Sequence, residues 1–315
     1  MSGLSILLWP VSFLFAIAVK LRHWFYVSGV LRSVRLPIPV IIIGNLTVGG
    51  TGKTPLVLWL ATELRRRGGN PCILSRGHGG KNVTPVRVRI GDSPAAVGDE
   101  PLLLAERSGC PVWIGADRVA AGRALLAAHP ECDVILCDDG LQHYRLQRDL
   151  EIAVEDERGF GNGFLLPAGP LREPASRRVD ARVINGEIAM ADVWRMRLKP
   201  AGFYRVAEPA VAVECSALSG KRLHAVAGIG NPERFFSALE DMGLCVTPHP
   251  FPDHHQFLMD ELEFADCDCI LMTEKDAVKC RHFGRRDLIA ARVDAELDPA
   301  FADFVWKRIH GRTSA

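Results

Sequence analysis

Apolar and polar residues fall along this chain in blocks that repeatedly spell strand, turn and helix. Val40 to Ile43 is a β-branched apolar run suited to a buried strand, and Leu56, Leu58, Leu60 and Leu64 continue as a helix after a glycine-rich turn. Pro71 to Ser75 reads as a second buried strand, and Val83 to Ile90 alternates like an exposed strand or hairpin arm. A helix starts near Leu102, Val112 to Gly115 is a short strand, and Asp117 to Ala128 is an alanine- and leucine-rich helix. Strands follow at Asp133 to Cys137, Leu150 to Val154 and Val179 to Asn185. A second strand–turn–helix unit starts at Leu223, with its helix running through Phe235, Leu239 and Met242 and a further strand from Ile270. Helical spacing returns at Phe301 to Ile309. Strands alternating with helices predict an α/β fold with a mostly parallel sheet.

Length adds a division to this picture. At 315 residues the chain exceeds what one hydrophobic core comfortably serves. The expected organisation is an N-terminal segment over 1–30, a core over 31–150, a hinge and smaller α/β domain over 151–296, and a last helix within 297–315 that returns to the core. The formal net charge of +1 gives no global field toward nucleic acid, so attraction to anions must be local. Nine cysteines without a paired framework fit reduced thiols better than disulfides or a zinc site. Nothing in the sequence points to an obligate protein partner.

The N-terminus departs from soluble composition. Leu4 to Val19 is almost wholly apolar, interrupted by Pro10, and Lys20, Arg22 and His23 follow beside Trp24, Phe25 and Tyr26. The run is shorter than the ~20 residues that span a bilayer, and basic and aromatic residues follow at once, so an in-plane anchor on the cytoplasmic face fits best. A signal peptide, a single span and a helix buried on the core are the competing readings.

The candidate chemistry sits at strand ends. Gly44-Asn-Leu-Thr-Val-Gly-Gly-Thr-Gly-Lys-Thr54 between strand and helix forms a P-loop, whose backbone amides and helix N-terminus face a polyphosphate. Thr47 to Thr54 are the expected ATP-binding residues: Thr47, Val48, Gly49, Gly50, Thr51, Gly52, Lys53 and Thr54. Thr47 stands where the usual pattern has glycine. Lys53 would reach the β/γ-phosphates and Thr54 would ligate Mg2+. Asp138 and Asp139 end an apolar strand downstream, as in a Walker B motif, so one aspartate is expected on the metal while the other orients a partner. Arg76, in a glycine-rich loop at a strand's carboxyl end, is a candidate anion contact. Asp99 sits where a helix N-cap belongs. The glycine- and proline-rich stretch from Gly159 to Pro174 reads as a structured loop or lid, with Arg172 and Glu173 at its charged tip. His254 and His255 lie in an aromatic loop, and Thr273-Glu-Lys-Asp276 lacks the lysine of a guanine-reading motif, which argues for ATP over GTP.

Taken in order, Gly44 to Pro55, Leu74-Ser-Arg-Gly77, Gly98-Asp-Glu-Pro101, Asp138-Asp-Gly-Leu-Gln-His143, Leu166 to Pro174, Gly228-Ile-Gly-Asn-Pro232, Asp253-His-His255 and Thr273 to Lys279 resemble the tetraacyldisaccharide 4′-kinase family, the lipid A 4′-kinases of Gram-negative bacteria. The family's own form has Thr47, and Leu141 replaces an expected Phe. The resemblance implies a P-loop core joined by a short β hinge to a smaller α/β domain. It implies transfer of the ATP γ-phosphoryl to the 4′-hydroxyl of an acylated disaccharide 1-phosphate at the inner-membrane surface. It also implies Asp99 as the base, oriented or tuned by Asp139 paired with His254, His255 being the less favoured histidine. Lys53 would neutralise phosphate charge, Thr54, Asp138 and Glu100 would meet the metal, and Arg76, Arg172 and Glu173 would meet the substrate. The rival is a P-loop ATPase of regulatory or chaperone type, expected to carry a large self-complementary interface.

Overall fold

The computed structural model describes residues 3–77, 84–187 and 192–311. The part of the expected anion loop beyond Gly77, at 78–80, and the start of the alternating stretch at 83 lie outside the described residues, as do 1–2 and 312–315 of the terminal segments.

In chain order the elements are α1 (Gly3–Val27), β1 (Val40–Gly44), α2 (Lys53–Arg66), β2 (Pro71–Ser75), β3 (Val86–Val88), α3 (Pro94–Val97), α4 (Asp99–Ser108), β4 (Val112–Ile114), α5 (Arg118–Ala128), β5 (Val134–Asp138), β6 (Leu150–Asp156) and β7 (Ala181–Asn185). They continue as β8 (Trp194–Arg205), β9 (Ala212–Val213), β10 (Leu223–Ala227), α6 (Pro232–Asp241), β11 (Val246–Pro250), β12 (Cys269–Thr273), α7 (Glu274–Cys280), β13 (Leu288–Leu297) and α8 (Pro299–His310). One continuous sheet runs β11-β10-β12-β13-β8-β7-β6-β1-β5-β2-β4-β3, with β9 beside β8. β6 and β7 continue the parallel sheet of the P-loop block on the β1 side.

Residues alternate cleanly across the sheet. Ile41 and Ile43 face a core with Leu56, Leu60 and Leu64 of α2 and Leu102 and Leu104 of α4, while Val40 and Ile42 face Val119 and Leu125 of α5. Both faces of β1 are therefore covered, which is why its sequence is apolar without alternation. α8 returns to this block: Phe301 is fully buried against the rings of Trp59 and Trp194.

The strands from β4 to β8 run parallel, as do β13, β12, β10 and β11, and the two sets meet at the antiparallel β8–β13 pair. Register explains what this seam achieves. β8 leaves the P-loop block at Trp194–Met196, opposite the carboxyl end of β7, and the second block attaches around Phe203–Arg205. The second block runs the other way, so the carboxyl ends of β10 and β12 point back at the carboxyl ends of β1 and β5. At about 3.3 Å per residue, the intervening half-dozen residues hold the two ligand-binding edges roughly 20 Å apart. β13 opens on the buried run Leu288–Ala291, which sequence reading left unassigned, whereas β8 escapes a reading by apolar runs because it is charged on its exposed face and carries Pro200 and Gly202. β11, an edge strand with Pro248 and Pro250, is equally silent.

α1 extends through the basic-aromatic residues to Val27, longer than the apolar run alone. Over Ser5–Val27 it is long and apolar enough to cross a membrane, and only 6% of its apolar window is buried. The reading of a helix buried on the core therefore fails. One side is docked: Ser12 donates to Leu165 O at 2.7 Å, and Arg22, His23 and Tyr26 gather around the Tyr144 ring. Ile6, Leu7, Trp9, Phe13, Leu14, Ile17, Leu21 and Trp24 remain exposed.

Candidate active site

The loop from Asn45 to Gly52 is shaped by glycine where the backbone demands it. Gly49 and Gly52 have φ of +103° and +97°. A Cβ on Gly52 would lie 2.6 Å from Asn185 Nδ2, so only glycine lets the loop lie against the end of β7. Asn185 donates to Thr51 O at 3.1 Å, and Asn45 donates to Gly49 O at 3.2 Å. The start of the loop is zipped to the Gly159–Pro174 stretch: Val48 N donates to Pro170 O at 2.8 Å and Arg172 N to Leu46 O at 2.7 Å. Thr47 lies in this extended pairing opposite Leu171, which accounts for a side chain where other P-loops have glycine. Of the two readings of the Gly159–Pro174 stretch, structured loop or lid, these bonds fit the structured loop: Pro170–Arg172 braces the P-loop.

That brace delivers Arg172 to Asp139. Its guanidinium donates to both carboxylate oxygens at 3.0 and 3.1 Å, and Lys53 Nζ lies 3.8 Å from the same group. Burial opposes ionisation of Asp139, but Lys53 and then Arg172 outweigh it and hold the carboxyl below its usual value. Asp139 has φ +48°, a strained backbone for a non-glycine residue at the end of β5. The expected pairing of Asp139 with His254 is corrected: its carboxylate is engaged by the two cations on its own block.

Asp138 is buried, with Ser75 Oγ 3.5 Å from one oxygen. Its Oδ1 has no hydrogen-bond partner among the described residues. Burial and then the Glu100 charge push its carboxyl up to about 7. An orphaned buried oxygen with a second acid nearby fits a hard cation.

The second block supplies the opposite wall. His254, with φ +61°, places Nδ1 3.0 Å from Asp99 Oδ2. The Asp99 bond raises the His254 pKa against the effect of burial. Burial opposes ionisation of Asp99, but the His254 bond and the Lys275 charge hold it below its usual value. Asp99 is the first residue of α4, after the cap position held by Gly98, and lies behind the imidazole at 4% exposure. His255 is turned away, bonded to Glu261 at 2.9 Å and packed on Phe251 and Phe257.

Two clefts adjoin this cluster. One, of about 260 Å³, runs from Gly50–Pro55 to Ile229, Asn231, Arg234 and Phe235 of the second block. The other, of about 590 Å³, is lined by Asp139, Arg76, Arg172, Glu173 and His254 and by Phe15, Val19 and Arg22 of α1. Arg76 is exposed at its rim. Glu173, expected to meet substrate, is only 2% exposed and paired with Arg177, so it braces the wall through Arg177 and Tyr144. Burial and the Arg118 charge push His143 in this wall down to about 4. Sequence reading missed Asn185, Arg118 and Lys275. Only Lys275 lay within a flagged motif; Asn185 and Arg118 reach the site through tertiary proximity.

A P-loop whose lysine lies where two clefts meet, one reaching Ile229 and Phe235 of the second block and the other lined by Asp139 and His254, defines a nucleotide-dependent phosphotransferase. The comparisons give the particular family. A family model described as tetraacyldisaccharide-1-P 4′-kinase (LpxK) matches residues 4–310, and the chain belongs to that family. It is 51% identical to a tetraacyldisaccharide 4′-kinase of Azoarcus sp. strain BH72 over 99% of this chain and 94% of that one. It is 50% identical to that of Methylobacillus flagellatus over 98% and 93%. The crystal structure of LpxK from Aquifex aeolicus in complex with ATP superposes with a TM-score of 0.82 at 29% identity, covering 98% of this chain and all of the other. The regulatory or chaperone ATPase reading finds no support among these.

Proposed function

We propose that this protein transfers the γ-phosphoryl of ATP to the 4′-hydroxyl of tetraacyldisaccharide 1-phosphate, the step that completes the bis-phosphorylated lipid A core. The observation that carries this reading is the meeting of the two clefts between Lys53 on one block and His254 on the other. Lys53 and the loop amides neutralise the β/γ-phosphates, and the apolar walls around Ile229 and Phe235 suit a purine. Thr54 and Asp138 are the residues that would hold Mg2+, with Glu100 facing them; when bound, the ion would supply further neutralisation of phosphate charge. The Asp99–His254 pair takes the hydroxyl proton, and Arg172 and Arg76 are the cations on the acceptor side.

The acceptor is a lipid, and each CH₂ withdrawn from the bilayer costs about 0.8 kcal/mol. The enzyme therefore works at the membrane surface, with the exposed face of α1 as a monotopic anchor on the cytoplasmic side of the inner membrane. Domain roles follow: the P-loop block binds ATP and the second block closes the site. Purified protein given ATP, Mg2+ and the monophosphorylated disaccharide is expected to yield a bis-phosphorylated product. Release of free phosphate alone would sink the reading.

A further inference from the structure

Gly50, Lys53, Glu100 and Lys275 line both clefts. A phosphoryl group moving from one cleft to the other must pass these four, and two of them are cations on opposite blocks. Lys275 is the second residue of α7, and its ammonium lies 3.0 Å from Glu100 Oε1, 3.2 Å from Asp253 Oδ1 and 3.3 Å from His254 Nε2. A lysine ammonium only donates, so Nε2 of His254 accepts and Nδ1–H points at Asp99.

Anchoring of this segment is the work of its neighbours. Glu274 pairs with Arg107 at 2.7 Å and accepts from Val293 N at 3.2 Å. Asp276 accepts from Thr273 Oγ1 at 2.7 Å and from Gly228 N at 3.0 Å, and pairs with buried Lys279 at 2.7 Å. With both flanking residues tied into the fold, the side chain between them is the one left to face the passage.

We propose that Lys275 is a catalytic residue that places its ammonium on the phosphoryl group in flight, opposite Lys53. The inference rests on the kinase reading above. In the step, a lone pair of the acceptor hydroxyl oxygen forms a bond to Pγ. The bond from Pγ to the β,γ-bridging oxygen breaks, that oxygen leaves with the electron pair as part of ADP, and the hydroxyl proton goes to the Asp99–His254 pair. Charge on the equatorial oxygens is greatest midway, where a cation from each side counts most. When Lys275 swings from His254 Nε2 to the phosphoryl oxygens, Nε2 is also freed to take the proton. One side chain thus couples arrival of the phosphoryl group to readiness of the base.

The test uses the full-length protein, comparing wild type with K275M, K275A and K275R. K275M is expected to lower kcat by about 100-fold or more, the usual cost of one transition-state donor, with ATP affinity within about threefold. Binding of ADP, Mg2+ and aluminium fluoride, which imitates the phosphoryl in flight, is expected to weaken by a similar factor while ADP alone binds normally. Ethylammonium is expected to raise the K275A rate saturably and leave wild type unchanged, and K275R to keep tighter aluminium fluoride binding than K275M. A K275M kcat within threefold of wild type, or unaltered aluminium fluoride binding, would overturn the proposal. If K275M fails to fold, K275R decides: an arginine variant that binds aluminium fluoride no better than ADP alone also overturns it. Failure of wild type to phosphorylate the acceptor would instead sink the kinase reading, and the aluminium fluoride comparison would still judge Lys275.

Discussion

Replacing Asp99 with asparagine keeps the side-chain shape but reverses one hydrogen bond. Asp99 Oδ1 accepts from Glu100 N at 2.9 Å, and an asparagine carbonyl can keep that bond. The amide nitrogen then faces His254 Nδ1, which must become the acceptor, so the ring proton moves to Nε2 and the lone pair facing the cleft is lost. Loss of a general base costs about 10²–10⁴ in rate, or roughly 3–5 kcal/mol in the barrier. Asp99 lines neither cleft, so ATP affinity should stay within about threefold. Steady-state kinetics with ATP and the lipid acceptor, beside calorimetry with ATP alone, separates the two effects. The pH profile adds a signed check. The Asp99 bond raises the His254 pKa above the usual imidazole value, and His254 accepts a proton only when neutral. Wild-type kcat/KM should therefore fall as pH drops through the raised pKa of His254, and Asp99→Asn should move the residual acid limb to lower pH. A variant within threefold of wild-type kcat, or an unmoved acid limb, would refute the role of the pair.

Gly230→Ala should cut kcat/KM for ATP by about 10- to 100-fold, because its Cβ would sit 2.7 Å from Gly50 N and push the β10–α6 turn off the P-loop; unchanged ATP kinetics would show that this contact is idle. Deleting residues 1–19 should lower sedimentation with anionic vesicles far more than nucleotide affinity, since most of α1 is exposed and apolar; full vesicle binding by the truncated chain would remove the anchor. Phe301→Ala should destabilise the P-loop block by about 3–5 kcal/mol in denaturant unfolding, because the ring is fully buried against Trp59 and Trp194; a loss below about 1 kcal/mol would mean α8 is not part of that core.

By itself the sequence determined the local pieces. Mostly apolar runs gave β1, β2, β5 and β6; Gly49, Gly52, Lys53 and Thr54 fixed a phosphate loop because their conformations and charge are local properties. The ordered motifs gave the family. Tertiary structure decided which pieces meet. Asp139 turned to Arg172 because the Pro170–Arg172 brace zips onto the P-loop, and His254 reached Asp99 only because the second block faces the first. That facing depends on the antiparallel β8–β13 pair: β8 is charged and half-exposed, and the short buried run Leu288–Ala291 that opens β13 says nothing about which strand it will pair with. Asn185, Arg118 and Lys275 join the site from distant positions, and a single chain records nothing about proximity across such separations: the energy that selects those neighbours belongs to the packed sheet and not to any local stretch.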